Sequence, residues 1–247
     1  MTAANYPAVM DEVFRHEGGY VNHPKDPGGE TKYGITKRSY PGLDILNLTK
    51  EQARAIYRHD FWEPLKGDQL PAGLDLVAMD ASVNSGLARG PKWLQGALGV
   101  AADGVIGPAT LKRAQQANPF DVIPRACSAR MGFLRGLRTW GTFGKGWTRR
   151  VASVEAVSMK MAAKVASVPV ADVRTAGADQ ASKAATRDAQ KAGGAGAAGG
   201  VSVNLADLPD WGVALAAVAV AVVIIIALGQ RRFQLARAEA YRNLLED

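Results

Sequence analysis

The sequence predicts a mainly α fold: a helical body with a small β-hairpin, a flexible Ala/Gly linker, and one C-terminal transmembrane helix. Three observations carry this expectation. Apolar residues recur at three- and four-residue spacing through the first 165 positions, with little alternating strand pattern after residue 40. Residues 191–200 read KAGGAGAAGG. Trp211 to Leu228 is an 18-residue run without a charge.

Helix boundaries can be placed in chain order. Tyr6, Val9, Met10, Val13 and Phe14 form one apolar stripe, Pro7 suits a first turn, and Gly18-Gly19 supplies a stop, so the first helix ends at Glu17. The next stretch is dense in turn formers, and Thr31 to Thr36 is expected to form the hairpin. Thr49-Lys-Glu-Gln52 is a capping-box pattern ahead of Ala53, Ile56, Tyr57 and Phe61, a helix ending at Trp62 before Pro64. A further helix through Leu74, Val77, Ala78 and Ala81 stops at Asn84-Ser85-Gly86, and others follow Pro91, Pro108 and Asn118-Pro119.

From residue 166 the composition turns to Ala, Gly, Ser and scattered charge, which buries too little apolar area to offset ordering, so residues 166–206 read as a linker. A helical start near 178–190 is the alternative. The run 211–228 reaches the lower length for a membrane span, with Trp211 at one edge and Arg231-Arg232 at the other, although six of its residues are alanine. Arg231, Arg232, Arg237 and Arg242 follow the span whereas only Lys191 precedes it closely. The charge rule then places residues 231–247 in the cytoplasm and the helical body on the periplasmic side of the inner membrane as a single-pass protein. The N-terminus holds Asp11 and Glu12 and no apolar run, so it is not a secretory signal, and delivery requires a holin-type lesion or late translocation. A cytoplasmic body held until the membrane fails is the other orientation.

Charge is uneven. Residues 1–111 carry net −2, residues 112–164 carry +9 and the remainder 0. A basic segment of this kind suits an anionic polymer or serves only as a solvated face. It contains no nucleic-acid recognition motif, so nucleic acid is not expected as a partner. One cysteine, Cys127, excludes an internal disulfide, and His16, His23 and His59 share no ligand spacing, so no metal and no cofactor is expected.

The densest chemistry lies between Glu17 and Thr36. Two carboxylates, Glu17 and Asp26, bracket a glycine-rich turn. Glycosidic cleavage needs a protonated carboxyl for the leaving oxygen and a second group that stabilises the cation or orients water. Glu17, beside Phe14 and Tyr20, suits a desolvated acid, and Asp26 in a polar turn suits an ionised partner. The plainer alternative is an exposed helix end and side chains bonded to their own turns.

These twenty residues, of the form E-G-G-Y-x-N-x-P-x-D-x-G-G-x-T-x-x-G-I-T, resemble the signature of glycoside hydrolase family 108, the N-acetylmuramidase endolysins. The resemblance implies a lysozyme-like catalytic domain over residues 7–90 with Glu17 as acid and Asp26 and Thr31 beside it; Tyr20, Tyr33, Trp62 and Asn84 are the candidate substrate contacts. Eight residues separate Glu17 from Asp26, as in phage-type lysozymes, but four rather than five separate Asp26 from Thr31. Trp62 is equally a core aromatic, and Asn84 a helix-ending residue. Asp103-Gly104-Val-Ile-Gly107-Pro-Ala-Thr110 is similar to the predicted peptidoglycan-binding domain of the same family, implying a wall-binding helical domain over residues 91–165, and reads alternatively as a structural turn. The expected activity is hydrolysis of the β-1,4 bond between N-acetylmuramic acid and N-acetylglucosamine in peptidoglycan during host lysis. A non-catalytic, membrane-anchored peptidoglycan-binding protein is the alternative.

Overall fold

The computed structural model describes residues 5–22, 29–197 and 210–244, with only the backbone for 191–197 and 210–220. Nine α-helices and one hairpin form their regular structure: α1 (Tyr6–His16), β1 (Thr31–Lys32), β2 (Ile35–Thr36), α2 (Lys50–Tyr57), α3 (Leu74–Ser85), α4 (Gly90–Leu98), α5 (Pro108–Gln116), α6 (Pro119–Arg135), α7 (Trp140–Ala166), α8 (Val170–Ala197) and α9 (Asp210–Arg242). A π-helical turn, Arg58–Trp62, extends α2.

The local signals act where they stand. Glu17 caps α1, its N–H donating to Val13 O. Thr49 and Gln52 make both reciprocal bonds of the capping box, so α2 starts where two orphan donors are satisfied. Prolines open α4, α5 and α6 in the first turn, where no N–H is needed. Tyr33-Gly34 links the two strands, pairing Thr31 with Thr36 and Lys32 with Ile35 in antiparallel register.

α3 is the buried axis of the body. Every residue from Leu74 to Ser82 is buried, so this helix has no polar face, and α1, α4, α6 and α7 pack around it. One continuous apolar core runs from Tyr6 and Val9 through Trp62, Leu76 and Met79 to Ile123, Met131 and Val154, so helices on both sides of residue 90 share it.

Two expectations for the C-terminal third are corrected. Residues 170–197 form helix rather than flexible linker, because their alanines and charged side chains favour a helix that can pack on a neighbour. Val173, Ala178, Ala181 and Ala185 are buried. The end of the expected linker, 198–206, lies outside the described residues.

The predicted transmembrane helix is likewise not supported. Among the described residues, no helix is long and apolar enough to cross a membrane. The apolar run belongs to a longer helix, α9, that continues past Arg231-Arg232 and docks on the body instead of ending there. Arg135 Nη2 donates to Gly229 O at 2.9 Å, and Phe233 enters the main core. Arg237 and Tyr241 both bond Glu155 Oε1, at 2.5–2.8 and 2.9 Å. The expected cytoplasmic tail is thus a docked part of the fold through Leu244. A single-pass inner-membrane location, the orientation drawn from it and the holin dependence tied to it are not supported.

Candidate active site

Glu17 stands where α1 gives way to an extended residue (φ −87°, ψ 130°), which turns its side chain out of the helix and towards the hairpin. The hairpin tip is pinned against it from two sides. Tyr33 N donates to Gly18 O at 3.2 Å, and Tyr57 Oη donates to Tyr33 O at 2.9 Å. Both tip residues have positive φ, 53° for Tyr33 and 76° for Gly34, the geometry of a tight two-residue hairpin. A Cβ at Gly34 would stand 2.6 Å from Glu17 Oε2 and 2.5 Å from Tyr57 Oη, so the bare glycine backbone allows the acid its position.

The other carboxylate oxygen meets α7. Arg150 Nη2 lies 2.8 Å from Glu17 Oε1 and 2.8 Å from Asp80 Oδ1, while Arg150 Nε donates to Asp80 Oδ1 at 2.9 Å. Arg130 Nη1 takes Asp80 Oδ2 at 2.6 Å, and Arg130 Nη2 donates to Asn84 Oδ1 at 3.0 Å. Asp80 is fully buried, which alone would raise its carboxyl, but Arg150 and Arg130 outweigh the burial and hold it well below the usual carboxylate range. This chain of charges, Glu17 to Arg150 to Asp80 to Arg130, joins α1, α3, α6 and α7.

A cavity of about 160 Å³ opens beside Glu17, lined by Gly34, Ile35, Thr36, Ser39, Tyr40, Ile56, Tyr57, Phe61 and Val83. Among these residues Glu17 is the sole carboxylic acid. Thr36 Oγ1 and Ser39 Oγ bond each other at 2.9 Å on its wall. Burial, reinforced by the charge of Glu17, pushes the Tyr57 phenol up. Burial and a hydrogen bond to Asp60 push Tyr40 up to about 12, so both phenols stay neutral donors.

The other residues singled out in the sequence are placed as follows. Asp26 lies outside the described residues. Thr31 Oγ1 donates to Gly29 O at 3.3 Å and does not line the cavity. Tyr20 is exposed and donates to Glu30 Oε1 at 2.9 Å. Tyr33 contributes its carbonyl, its ring packing 5.3 Å from Phe14. Trp62 is 1% exposed, donates to Asp68 Oδ1 at 2.8 Å and lies flat against Gly67, a core position away from the cavity that its neighbour Phe61 reaches. Asn84 serves Arg130, not the cavity.

The Asp103 motif forms a closed turn. Buried Gln95 Nε2 donates to Asp103 Oδ1 (2.6 Å), Val105 O (3.0 Å) and Thr110 Oγ1 (3.2 Å), and its Oε1 accepts from Gly104 N at 2.8 Å. Gly107 precedes α5 as its cap. Among the described residues no His, Cys, Asp and Glu cluster could hold a metal ion. The cavity residues that sequence reading missed are Thr36, Ser39, Tyr40 and Tyr57. Tyr57 and Phe61 share a helix face at i and i+4, which was visible, but their side of the fold was not. Arg150 carried no local signal.

Comparison with known proteins supports the same region. Residues 10–86 match the family model described as glycosyl hydrolase 108. The solved structure of Brucella abortus SagA is 42% identical to this chain, covering 64% of it and 96% of the SagA chain, with a TM-score of 0.58. None of the curated proteins compared with the chain matches it. Glu17, the hairpin and α3 all fall within the matched 77 residues of the family, and nearly the whole of SagA has its counterpart here. The chain therefore belongs to the glycosyl hydrolase 108 family and is a glycoside hydrolase at that level.

Proposed function

We propose that the chain is a muramidase that hydrolyses the β-1,4 bond between N-acetylmuramic acid and N-acetylglucosamine in peptidoglycan, with Glu17 as general acid and lysis through wall degradation as the outcome. The observation that carries this reading is the asymmetric setting of Glu17. Arg150 occupies Oε1, which leaves Oε2, at the hairpin tip beside the cavity, as the oxygen that bears the transferable proton.

In this reading the proton passes from Glu17 Oε2 to the glycosidic oxygen as its bond to the anomeric carbon breaks. Water then adds to the anomeric carbon, and its proton returns to the carboxylate. Asp26 is the proposed second carboxylate, whose charge would offset the positive charge that develops on the ring. The hydroxyl pair Thr36 and Ser39, rather than Thr31, takes the water-orienting part, because these two hydroxyls line the cavity with Glu17. Residues 7–90 then carry the reaction, and 91–165 support it and contact the polymer.

The test is Glu17→Gln with analysis of released fragments. The amide keeps the shape but donates no proton, so turnover of purified peptidoglycan should fall by about 10²–10⁴-fold. Mass analysis of wild-type products should show reducing-end muramic acid. Wild-type turnover in the variant would remove Glu17 from the mechanism, and reducing-end glucosamine would overturn the bond assignment.

A further inference from the structure

The basic excess of residues 112–164 separates into two sets once folded. Arg130 and Arg150 are consumed by Asp80, and Arg135 and Arg125 by backbone carbonyls. Lys145 and Arg149 on α7 remain exposed, as does Arg232 on α9, and among the described residues none of the three has an ion-pair or hydrogen-bond partner. These three cations surround one groove of about 580 Å³, a volume suited to a disaccharide-sized ligand.

Its apolar wall is an indole. Trp140 lies along the helix over Gly144, where a Cβ would stand 2.7 Å from the ring, so glycine lets the ring lie flat. Trp147 at 6.2 Å, itself 5.7 Å from Phe143, holds the ring in place. An aromatic face accepts the C–H-bearing face of a pyranose, since its π cloud is electron-rich. Unpaired cations at its rim attract carboxylates and repel one another until an anion arrives. Arg149 also borders a smaller pocket with Glu239 but does not pair with it. The groove shares no residue with the Glu17 cavity.

We propose that this groove is a second glycan subsite that holds a carboxylate-bearing saccharide of the polymer, one ring on Trp140 and its carboxylates on Lys145, Arg149 and Arg232. The proposal rests on peptidoglycan being the polymer bound, as the muramidase reading has it, and adds where a strand is held away from the Glu17 cavity. Because Arg232 comes from α9, the docking of α9 through Arg237 on Glu155 completes the site. Two-point attachment favours long strands over fragments that reach only the cavity.

The test uses the full chain in two backgrounds. In Glu17→Gln, pelleting with purified sacculi is measured against NaCl concentration, with and without Lys145→Gln, Arg149→Gln and Arg232→Gln together. The triple change should weaken pelleting about tenfold and flatten its salt dependence, three screened contacts being lost. In the otherwise wild-type enzyme the same triple should raise KM on sacculi and leave turnover of a short soluble muropeptide unchanged. Trp140→Leu should weaken pelleting at any salt, and thermal unfolding of each variant checks that it is folded. Unchanged pelleting overturns the subsite, as does loss of binding to phosphatidylglycerol vesicles with sacculus binding intact. If pelleting depends on the groove but the wild type releases no muropeptides, the muramidase reading fails and the subsite stands.

Discussion

Arg150 Nη2 is equidistant, at 2.8 Å, from Glu17 Oε1 and Asp80 Oδ1. The acid at the end of α1 is therefore oriented by a carboxylate buried in α3, through a guanidinium supplied by α7. Arg150→Gln is expected to lower kcat far more than it changes KM, because the acid loses its fixed rotamer. Arg150→Lys keeps the charge but has no fork to span both carboxylates, and should fall between. Equal kcat in all three proteins on a soluble glycan would show that Glu17 needs no such hold.

Asp80→Asn should be the costliest polar change in the body. It leaves Arg130 and Arg150 buried beside a neutral group, a loss of about 3–5 kcal/mol for a broken buried pair. The folded carboxyl is depressed, so its stabilisation is present above the unfolded value near 4 and is lost as pH falls through the lower folded value. Urea unfolding at neutral pH checks the loss. A variant within about 0.5 kcal/mol of wild type would overturn it, that being the usual range of surface changes.

Asp75 has the opposite sign. It is 1% exposed, and burial raises its carboxyl to about 6, although Asn5 and the N–H groups of Gly73 and Leu76 bond it. Its contribution is present below about pH 4 and is lost as pH rises through 6, by about 3 kcal/mol for a shift of some two units. The melting temperature of Asp75→Asn, relative to wild type, should therefore climb between pH 4 and pH 7. A flat difference across that window would refute the assignment.

Gly34→Ala tests the hairpin tip. The new methyl meets Glu17 Oε2 and Tyr57 Oη at 2.6 and 2.5 Å, and φ of 76° is strained for alanine. Activity should drop at least tenfold, with a stability cost of about 1–2 kcal/mol from the left-handed backbone. Loss of stability without loss of activity would mean that the acid tolerates displacement.

Thr31→Ala should retain near-wild-type turnover, since among the described residues its hydroxyl donates to Gly29 O and does not line the cavity. Thr36→Val, which removes a cavity hydroxyl without changing shape, should lower kcat more. The reverse order in steady-state assays would assign the water-orienting part to Thr31.

What the sequence displays is what short-range physics decides. The end of α1 at Glu17, the box at Thr49 and the stop before Gly86 depend on neighbours within four residues, and they stand where local signals place them. Arg150 and Asp80 are 70 positions apart, so their pairing has no periodicity to reveal it, and Arg150 reads only as one more charge in a basic stretch. Trp62 and Phe61 are adjacent and chemically alike, yet the π-helical turn sends one to the core and the other to the cavity. Alanine-rich composition is equally that of a tether and of a good helix, and only the partners of α8 decide between them. For α9 a hydropathy window stops at Leu228, whereas Phe233, Arg237 and Tyr241 hold the helix to the body.

Gln95 gathers a side-chain carboxylate, a carbonyl, a hydroxyl and an N–H from the Asp103–Thr110 loop onto one amide. Such a knot fixes every spacing in the loop, because each of its members is tied to the same two atoms. The identities of Asp103, Gly104 and Thr110 thus answer the demands of a glutamine fifteen residues upstream of Thr110, and a change at any of them loosens a joint in the frame of this chain.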